Sequence, residues 1–418
     1  MSINGADPLR ALRERIVELV VWFGEDGHRL PDAQDAWRQD QLWDRRLLEE
    51  EERWLELLDE RQPLPLASLT SASPSRLLLE LECLDRVAWL YAGKPRLAPA
   101  QLIRHKDREG RPDREYYLIR LARERTPHAA RQAGLIYTHL RFHALVPARV
   151  ECDPVRSYRV RVETMRTGVL RCEEALARGH VSVATTSFAD DAQIDFDELS
   201  IATADERARK LTKTIDDAAA KGVDILVAPE LTLPEGARDK VLRSLQWATG
   251  RGLALIVPGT FHVRDEDGVF NRAILVDGKG NALCTHDKLT KFGKLEEGFF
   301  EKIALGDEIT VVVTPIGTVA VAICKDFCDD HVGRVWSQLQ PEWLLVPAYG
   351  QGASAHETAA KRIARMIGTV TILAHEGDRL LDAPQNSFVH VTELLKGNSQ
   401  APEFFEHKIQ MLDDLESS

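Results

Sequence analysis

The sequence of 418 residues lacks long apolar runs. A membrane-spanning helix needs about 20 consecutive apolar residues, and no run in the chain reaches that length. The first apolar stretch, residues 16–23, is interrupted by Glu18 and follows arginines at helical spacing. It has no small-residue cleavage site, so it predicts an amphipathic helix and not a signal peptide. We therefore expect a cytoplasmic protein with no membrane partner.

Cysteine is also scarce, with six residues in the whole chain. Four of them stand alone in the sequence, and Cys324 and Cys328 lie four apart without nearby His or Cys partners. This spacing matches no zinc site, and a disulfide framework is unusual in a chain of this length without an export signal. We expect reduced, mainly buried thiols and no bound metal.

Basic residues are outnumbered, since 54 Lys+Arg against 66 Asp+Glu give a net charge of −12. This balance argues against non-specific nucleic-acid binding by the whole surface. Residues 1–180 contain 30 Lys+Arg and 29 Asp+Glu, which leaves 24 and 37 for the rest of the chain. Lysine is nearly absent before residue 180 and common after it. This shift predicts a module boundary near residue 175.

Periodicity divides the chain further. Residues 1–60 have apolar positions at spacings of three and four, which predict a helical segment. Residues 61–76 are rich in Pro and Ser and predict a linker or long loop, and residues 77–175 predict a mainly helical, basic domain. From residue 176 to 418, short apolar β-type runs alternate with polar helices. This alternation predicts an α/β domain whose sheets are covered on their faces.

Three polar residues follow apolar strands in this second half: Glu230 after DILVAP, Lys288 after NALCTHD and Cys324 after VAVAI. Sites in α/β folds commonly lie at the ends of strands. A thiolate attacks carbonyl carbon, a carboxylate in an apolar pocket can take the thiol proton, and an ammonium group can stabilise an oxyanion. Together they are consistent with an acyl-transfer site, although each alone also fits a surface charge or a core thiol.

The segments around these residues resemble the nitrilase superfamily of carbon–nitrogen hydrolases. VDILVAPEL is similar to its first motif, FNRAILVDGKGNALCTHDKL to the second, and TPIGTVAVAICKDF to the third. The order of the motifs and the intervals of 58 and 36 residues between the three polar residues also fit. The resemblance covers about residues 178–400 and implies a nitrilase-like α-β-β-α sandwich after a mainly α-helical N-terminal domain.

The resemblance implies a role for each polar residue. Glu230 is the implied general base, Cys324 the nucleophile that forms a thioester, and Lys288 the stabiliser of the tetrahedral intermediate. The backbone N–H of Lys325 is the implied second oxyanion donor. No metal or organic cofactor is required.

Five further residues are implied with supporting roles. Many family members carry a second glutamate before an aromatic pair, and LEEGFF offers Glu296 and Glu297. Glu297 is preferred because a single glycine separates it from the aromatic pair, but the sequence does not choose between the two. Asp326 is expected to fix the loop after the nucleophile. Tyr349 and His356 are expected to line the substrate pocket.

The expected function is a thiol-dependent hydrolase that cleaves a non-peptide C–N bond in a small amide-like molecule. CKDF replaces the Trp-Glu that usually follows the cysteine in nitrile-hydrolysing members, which favours amide, ureide or carbamoyl substrates. Two alternatives remain open: an acyl transferase with the same triad, and a non-catalytic or ligand-sensing scaffold that binds a partner. Relatives usually pair, so a homo-oligomer is expected.

Residues 1–170 resemble no family that we can name. Residues 95–166 contain 16 Lys+Arg against 8 Asp+Glu, with tyrosines interleaved. Such a stretch can bind nucleic acid or an acidic protein. The acidic second half of the same chain is the simplest partner, so we expect docking between the halves in preference to a nucleic-acid or protein partner.

Overall fold

The computed structural model describes residues 8–25, 28–60, 62, 64–92, 100–105, 114–122, 136–153, 156–178, 180–188, 193–195, 197–246, 252–294, 299–350, 353–377 and 388–390. The chain forms two compact units. One comprises Met1–Ala148 with Arg365–Gly368, and the other Arg149–Ala364 with Thr369–Ser418. We describe each unit separately.

The first unit is built around a helical core. Its helices are α1 (Pro8–Glu25), α2 (Arg29–Gln39), α3 (Trp43–Asp59) and α4 (Pro74–Tyr91). On α1 the buried apolar residues recur every three or four positions, as the sequence predicted, and they pack against the largely buried α4. Within the described ranges, no helix of the chain combines the length and apolar character needed to cross a bilayer.

The segment expected to be a linker or long loop, residues 61–76, ends in the first turn of α4, and its described residues before α4 pack onto the helices. Leu64 is buried in the helical core. The amide of Ala67 donates to Glu80 Oε2 (2.7 Å), and its carbonyl accepts a hydrogen bond from Arg15 (2.6 Å). Ser73 caps α4 by accepting from the amide of Arg76. These residues therefore form a loop whose buried polar groups are hydrogen-bonded.

The first unit also contains strands that the sequence did not predict. β1 (Gln101–His105), β2 (Arg114–Arg120) and β3 (His143–Pro147) form an antiparallel sheet, where a mainly helical domain was expected. Short strands give a weak periodic signal between longer helices, which explains the difference.

The second unit begins earlier than the boundary expected from charge. β4 (Arg149–Glu151) and β5 (Ser157–Thr164) belong to it, because β5 pairs in parallel with β16 (Glu308–Thr314). Arginines occupy the exposed positions of β5 and apolar residues the buried ones. Its basic composition therefore reflects the solvent-facing side of one strand of this sheet and not a separate domain.

The second unit contains two main sheets in the described part of the chain. The strands of the first sheet are β6 (Val183–Thr185), β9 (Ile225–Val227), β10 (Leu255–Val257), β11 (Thr260–Asp265), β12 (Gly268–Asp277) and β13 (Ala282–Asp287). The second sheet contains β4, β5 and β16 together with β17 (Gly317–Val321), β18 (Trp343–Gly350), β19 (Val370–Gly377) and β20 (Phe388–His390). The order of the first sheet is β11-β12-β10-β9-β6, with β13 paired to β12, and the order of the second is β20-β19-β18-β17-β16-β5-β4.

The two sheets pack against each other, with β19 against β6 and β9, and β13 against β16. Helices α6 (Ala204–Ala220) and α7 (Glu235–Leu245) bury their apolar faces against the first sheet. The remaining helices and short pairs are α5 (Val169–Arg178), α8 (Lys325–Cys328), α9 (Gly333–Leu339), α10 (Ser354–Ile367), β7 (Ile194–Asp195) with β8 (Ser200–Ile201), and β14 (Gly293–Lys294) with β15 (Phe299–Phe300). The predicted helical N-terminal part and sandwich-like C-terminal part are confirmed.

The helical core contains buried acidic side chains that have specific partners. On α4, Glu82 lies 2.8 Å from His139, and Asp85 lies 2.8 Å from His143. Glu51 on α3 pairs with Arg86 at 3.1 Å and is only 3% exposed. Burial outweighs the nearby arginines and raises the pKa of Glu51 from 4.5 to about 7.

We predict that Glu51→Gln changes how stability depends on pH. Between about pH 4.5 and pH 7 the folded state keeps the Glu51 proton and the unfolded state loses it, so the unfolding free energy of the wild type falls as pH rises. Above pH 7 the unfolding free energy of the wild type is lower by about 3 kcal/mol than below pH 4.5. Glu51→Gln should remove this pH-dependent decrease and be more stable than the wild type at pH 8.5. Urea unfolding at pH 5 and 8.5 measures this.

Glu49→Gln is the matched control, because Glu49 lies on the same helix with its side chain 60% exposed. Its pH dependence should follow the wild type. A Glu51→Gln variant with the wild-type pH dependence would contradict the prediction.

Candidate active site

Lys288 is a charged side chain buried at the end of β13, with 2% of its surface exposed. Its Nζ donates to Glu230 Oε1 at 2.8 Å and to Glu301 Oε2 at 2.9 Å. Burial alone would lower the pKa of Lys288, but the Glu230 carboxylate, the ionised form of Cys324 and the Glu301 carboxylate raise it well above the usual value. Lys288 is therefore an ammonium ion held between two carboxylates.

Glu230 lies shortly after β9, next to Pro229, and is 3% exposed. Its Oε1 accepts from Lys288 and also from Asn271 Nδ2 at 2.8 Å. Glu230 is also close enough to the Cys324 thiol to raise its pKa. The carboxylate therefore pairs with the cation and lies within electrostatic reach of the thiol.

Cys324 follows β17 in a strained backbone conformation, with φ +48° and ψ −110°. A non-glycine residue in such a region costs about 1–3 kcal/mol and persists where its surroundings hold it. Here the amide of Cys324 donates to Pro347 O at 2.9 Å, and Sγ lies 3.6 Å from Tyr349 O. Burial and then Glu230 raise the pKa of the thiol, against the opposite effect of Lys288. The thiol is therefore protonated at neutral pH.

Asp326 joins the cysteine loop to the segment that follows Lys288. Its buried carboxylate accepts from the amides of Leu289 (3.0 Å) and Thr290 (2.8 Å) and from Thr290 Oγ1 (2.7 Å). Lys325 is the first residue of α8, directly after Cys324, and its Nζ donates to the carbonyl of Lys291 (3.4 Å). These bonds fix the lysine and cysteine segments relative to each other.

Sequence reasoning missed Glu301, which lies directly after the aromatic pair of β15. Its carboxylate contacts Lys288, Asn271 Nδ2 (3.3 Å), His262 Nε2 (3.3 Å) and the amide of Phe292 (3.1 Å). Burial would raise its pKa, but the hydrogen bond with His262 and the charge of Lys288 lower it to about 2. Glu301 is thus ionised at neutral pH.

The two glutamates that the sequence suggested for this supporting position, Glu296 and Glu297, lie outside the described residues. The signal for Glu301 was a glutamate directly after the two phenylalanines. His262 and Asn271 were missed because their proximity depends on register: they face each other across β11 and β12, and the amide of Lys288 donates to the carbonyl of Asn271.

Tyr349 and His356, expected to line the pocket, have different surroundings. Tyr349 provides the carbonyl beside Cys324, and it packs against a small apolar cluster that includes Leu231. His356, in the first turn of α10, lies 3.8 Å from the thiol of Cys328, and its ring centroid is 6.3 Å from that of His375. Tyr349 is therefore directly at Cys324, whereas His356 contacts the second thiol of the loop.

Comparison with protein families identifies this part of the chain. Residues 193–342, which include Glu230, Lys288 and Cys324, match the model of the carbon-nitrogen hydrolase family. The C-terminal half of the chain therefore contains a region that matches the carbon–nitrogen hydrolase family, called the carbon–nitrogen hydrolase domain below. No curated protein matches the chain.

Among solved structures, the carbon–nitrogen hydrolase domain is similar to an amidase from Nesterenkonia sp. AN1, in a form with the acetamide moiety of fluoroacetamide added to the active-site cysteine. The identity is 18%, the match covers 44% of this chain and 77% of that chain, and the TM-score is 0.35. A glutamine-dependent NAD⁺ synthetase from Acinetobacter baumannii is 15% identical over 41% of this chain and 35% of that chain, with a TM-score of 0.34.

We predict that Asp326→Asn destabilises the carbon–nitrogen hydrolase domain. The amide oxygen of asparagine can replace only one carboxylate oxygen, and the NH₂ group that replaces the other faces the amide of Leu289, which donates to both oxygens in the wild type. The expected loss is about 2–4 kcal/mol of unfolding free energy, measured by urea denaturation. Asp329→Asn is the control, because Asp329 also accepts from two backbone amides but is half-buried. Equal losses in the two variants would contradict the assigned role.

Proposed function

We propose that the carbon–nitrogen hydrolase domain cleaves a non-peptide C–N bond of amide, ureide or carbamoyl type through a thioester on Cys324. The observation that carries this proposal is the buried Lys288 ammonium, held between Glu230 and Glu301 beside the thiol. A fixed positive charge of this kind stabilises an oxyanion in a water-poor site. The proposed mechanism uses side chains and backbone amides alone.

In the first half-reaction, Cys324 attacks the substrate carbonyl carbon while Glu230 accepts the thiol proton. A base is needed because the pKa of the buried thiol is raised, so that little thiolate is present at neutral pH. Lys288 and the N–H of Lys325 stabilise the oxyanion. When the tetrahedral intermediate collapses, the C–N bond breaks and Glu230 gives its proton to the leaving nitrogen. A thioester and a free amine or ammonia result.

In the second half-reaction, water attacks the thioester. Glu230, now a carboxylate again, accepts a proton from the water, and Lys288 again stabilises the oxyanion. Collapse of this intermediate breaks the C–S bond, and the proton on Glu230 returns to the sulfur. The products are the carboxylic or carbamic acid and the free thiol of Cys324.

Glu301 supports this chemistry through Lys288. Two carboxylates keep the lysine protonated and fix the direction of its N–H bonds, and Glu301 is in turn held by His262, Asn271 and the amide of Phe292. Such a supporting group does not have to touch the substrate. It keeps the cation in place while negative charge moves from Glu230 to the oxyanion and back.

We predict that Cys324→Ala abolishes turnover of small amides and that Glu230→Gln lowers it by roughly 10²- to 10⁴-fold, because the first removes the nucleophile and the second the base. Release of ammonia or amine from a panel of amides, ureides and carbamoyl compounds measures this. Cys284→Ala, which removes a half-buried thiol from β13, should keep wild-type activity. Turnover by Cys324→Ala would exclude the thioester mechanism.

The same assay distinguishes hydrolysis from acyl transfer. A hydrolase releases the free acid without an added amine, and hydroxylamine diverts part of the product to a hydroxamate through the thioester. Product formation that requires an amine acceptor would identify an acyl transferase instead.

We also predict that Glu301→Gln moves the basic limb of kcat/KM to lower pH. Glu301 is one of the groups that raise the pKa of Lys288, so its neutral replacement lets the ammonium lose its proton at lower pH. The pH profile above pH 8 measures the change. Glu308→Gln removes a carboxylate that pairs with arginines at a more exposed position of β16 and should leave the profile unchanged. Identical basic limbs for Glu301→Gln and the wild type would contradict this role.

A further inference from the structure

The residue directly after Glu230 lies in a strained turn. Leu231 has a φ of +56°, which is rare for a branched side chain. On the amide side, Leu231 N donates to Thr260 Oγ1 (3.3 Å) and Thr232 N to Thr260 O (2.9 Å). The backbone that carries the Glu230 carboxylate is therefore held in a conformation that it would not adopt by itself.

Arg207 holds the carbonyl side of the same turn. It lies on α6, is 1% exposed, and its Nη1 donates to Leu231 O (3.0 Å) and Thr232 O (3.3 Å). Its guanidinium carbon also lies 5.0 Å from the ring centroid of Phe188. Thr260 of β11 therefore binds the amides of the turn after Glu230, and the buried guanidinium of Arg207 binds its carbonyls.

The other end of this guanidinium reaches the second sheet. Arg207 Nη2 donates to Glu376 Oε1 at 3.0 Å, and the Glu376 side chain is 3% exposed. Glu376 lies on β19 opposite Tyr349 of β18, whose carbonyl accepts from the Cys324 thiol. The ion pair therefore connects the turn that carries the proposed base to the strands beside the proposed nucleophile.

Only an arginine can make these contacts at once. Its planar fork presents several N–H groups in fixed directions, whereas a lysine ammonium is a point charge on a flexible stem. A buried ion pair also adds little net stability, since removing both charges from water offsets their attraction. The ion pair therefore fixes the relative position of two segments that belong to different sheets.

We propose that Arg207 and Glu376 are positioning residues that keep the Glu230 carboxylate within proton-transfer distance of the Cys324 thiol. This inference rests on the proposed function of Glu230 as the base. It extends the site to a pair of residues separated by 169 positions in the chain, neither of which contacts the thiol through its own side chain in the described hydrogen bonds.

The rate at which iodoacetamide alkylates Cys324 tests the proposal without a known substrate. The full chain is labelled between pH 6 and 9, and the modified peptide is quantified by mass spectrometry. Glu230→Gln is the reference: it removes the proposed acceptor of the thiol proton, and this loss should slow alkylation near pH 7 even though the substitution also removes a negative charge that raises the pKa of the thiol. Arg207→Lys and Glu376→Gln should each slow it at least tenfold at pH 7 and shift the profile toward that of Glu230→Gln. Glu376→Asp, which keeps the charge, should recover part of the rate.

Arg15→Lys is the matched control for a purely structural effect. Arg15 is also buried, pairs with Glu80 at 2.8 Å and donates to a backbone carbonyl, but it belongs to the helical unit. It should lower the melting temperature and leave the alkylation profile unchanged. A structural role for Arg207 would give this same result.

The outcomes separate the two proposals. If Glu230→Gln is alkylated at the wild-type rate, Glu230 is not the base and the proposed function fails. If Glu230→Gln is slow but folded Arg207→Lys and Glu376→Gln react at the wild-type rate, the positioning role is overturned and the proposed function stands. If Arg207→Lys does not fold, the comparison of Glu376→Gln with Glu376→Asp decides: equal rates in those two variants overturn the role.

Discussion

The site depends on one interaction, the burial of the Lys288 ammonium between the carboxylates of Glu230 and Glu301. An isolated buried charge is very costly, so the ammonium can lie at the end of its strand only if both partners reach it. The partners come from separate segments of the chain, and the strands that carry them must therefore pack in one arrangement. The pKa of Lys288 rises and that of Glu301 falls for the same reason, since each charge stabilises the other.

The remaining contacts of the site keep this ion cluster next to a thiol. Asp326 binds the amides after Lys288, and it lies two residues after Cys324, so the cation and the nucleophile are linked through backbone. The positive φ angles of Leu231 and Cys324 are local costs at the two reacting side chains. The tertiary contacts that hold them, among them the Arg207–Glu376 pair, come from both sheets of the second unit.

The helical unit also contains buried charged side chains that need partners. Its core contains carboxylates that have histidine or arginine partners, and burial raises the pKa of Glu51. It lies outside the residues that match the family model, and part of the basic stretch 95–166 lies outside the described residues. Docking of this unit on the acidic half, or contact with a nucleic acid or another protein, stays a prediction.

The sequence by itself determined which strand ends carry potentially reactive side chains. Each of Glu230, Lys288 and Cys324 follows a short apolar run. Because such a pattern is local, it can be recognised without knowledge of the fold. Tertiary structure alone decided which other residues join them. Glu301, Asn271 and Arg207 meet the site through strand register and long-range packing, and β5 joins its sheet by pairing with a strand almost 150 residues later. Local periodicity encodes a strand, but the partner of a strand or of a buried charge depends on the energy of the whole packed arrangement.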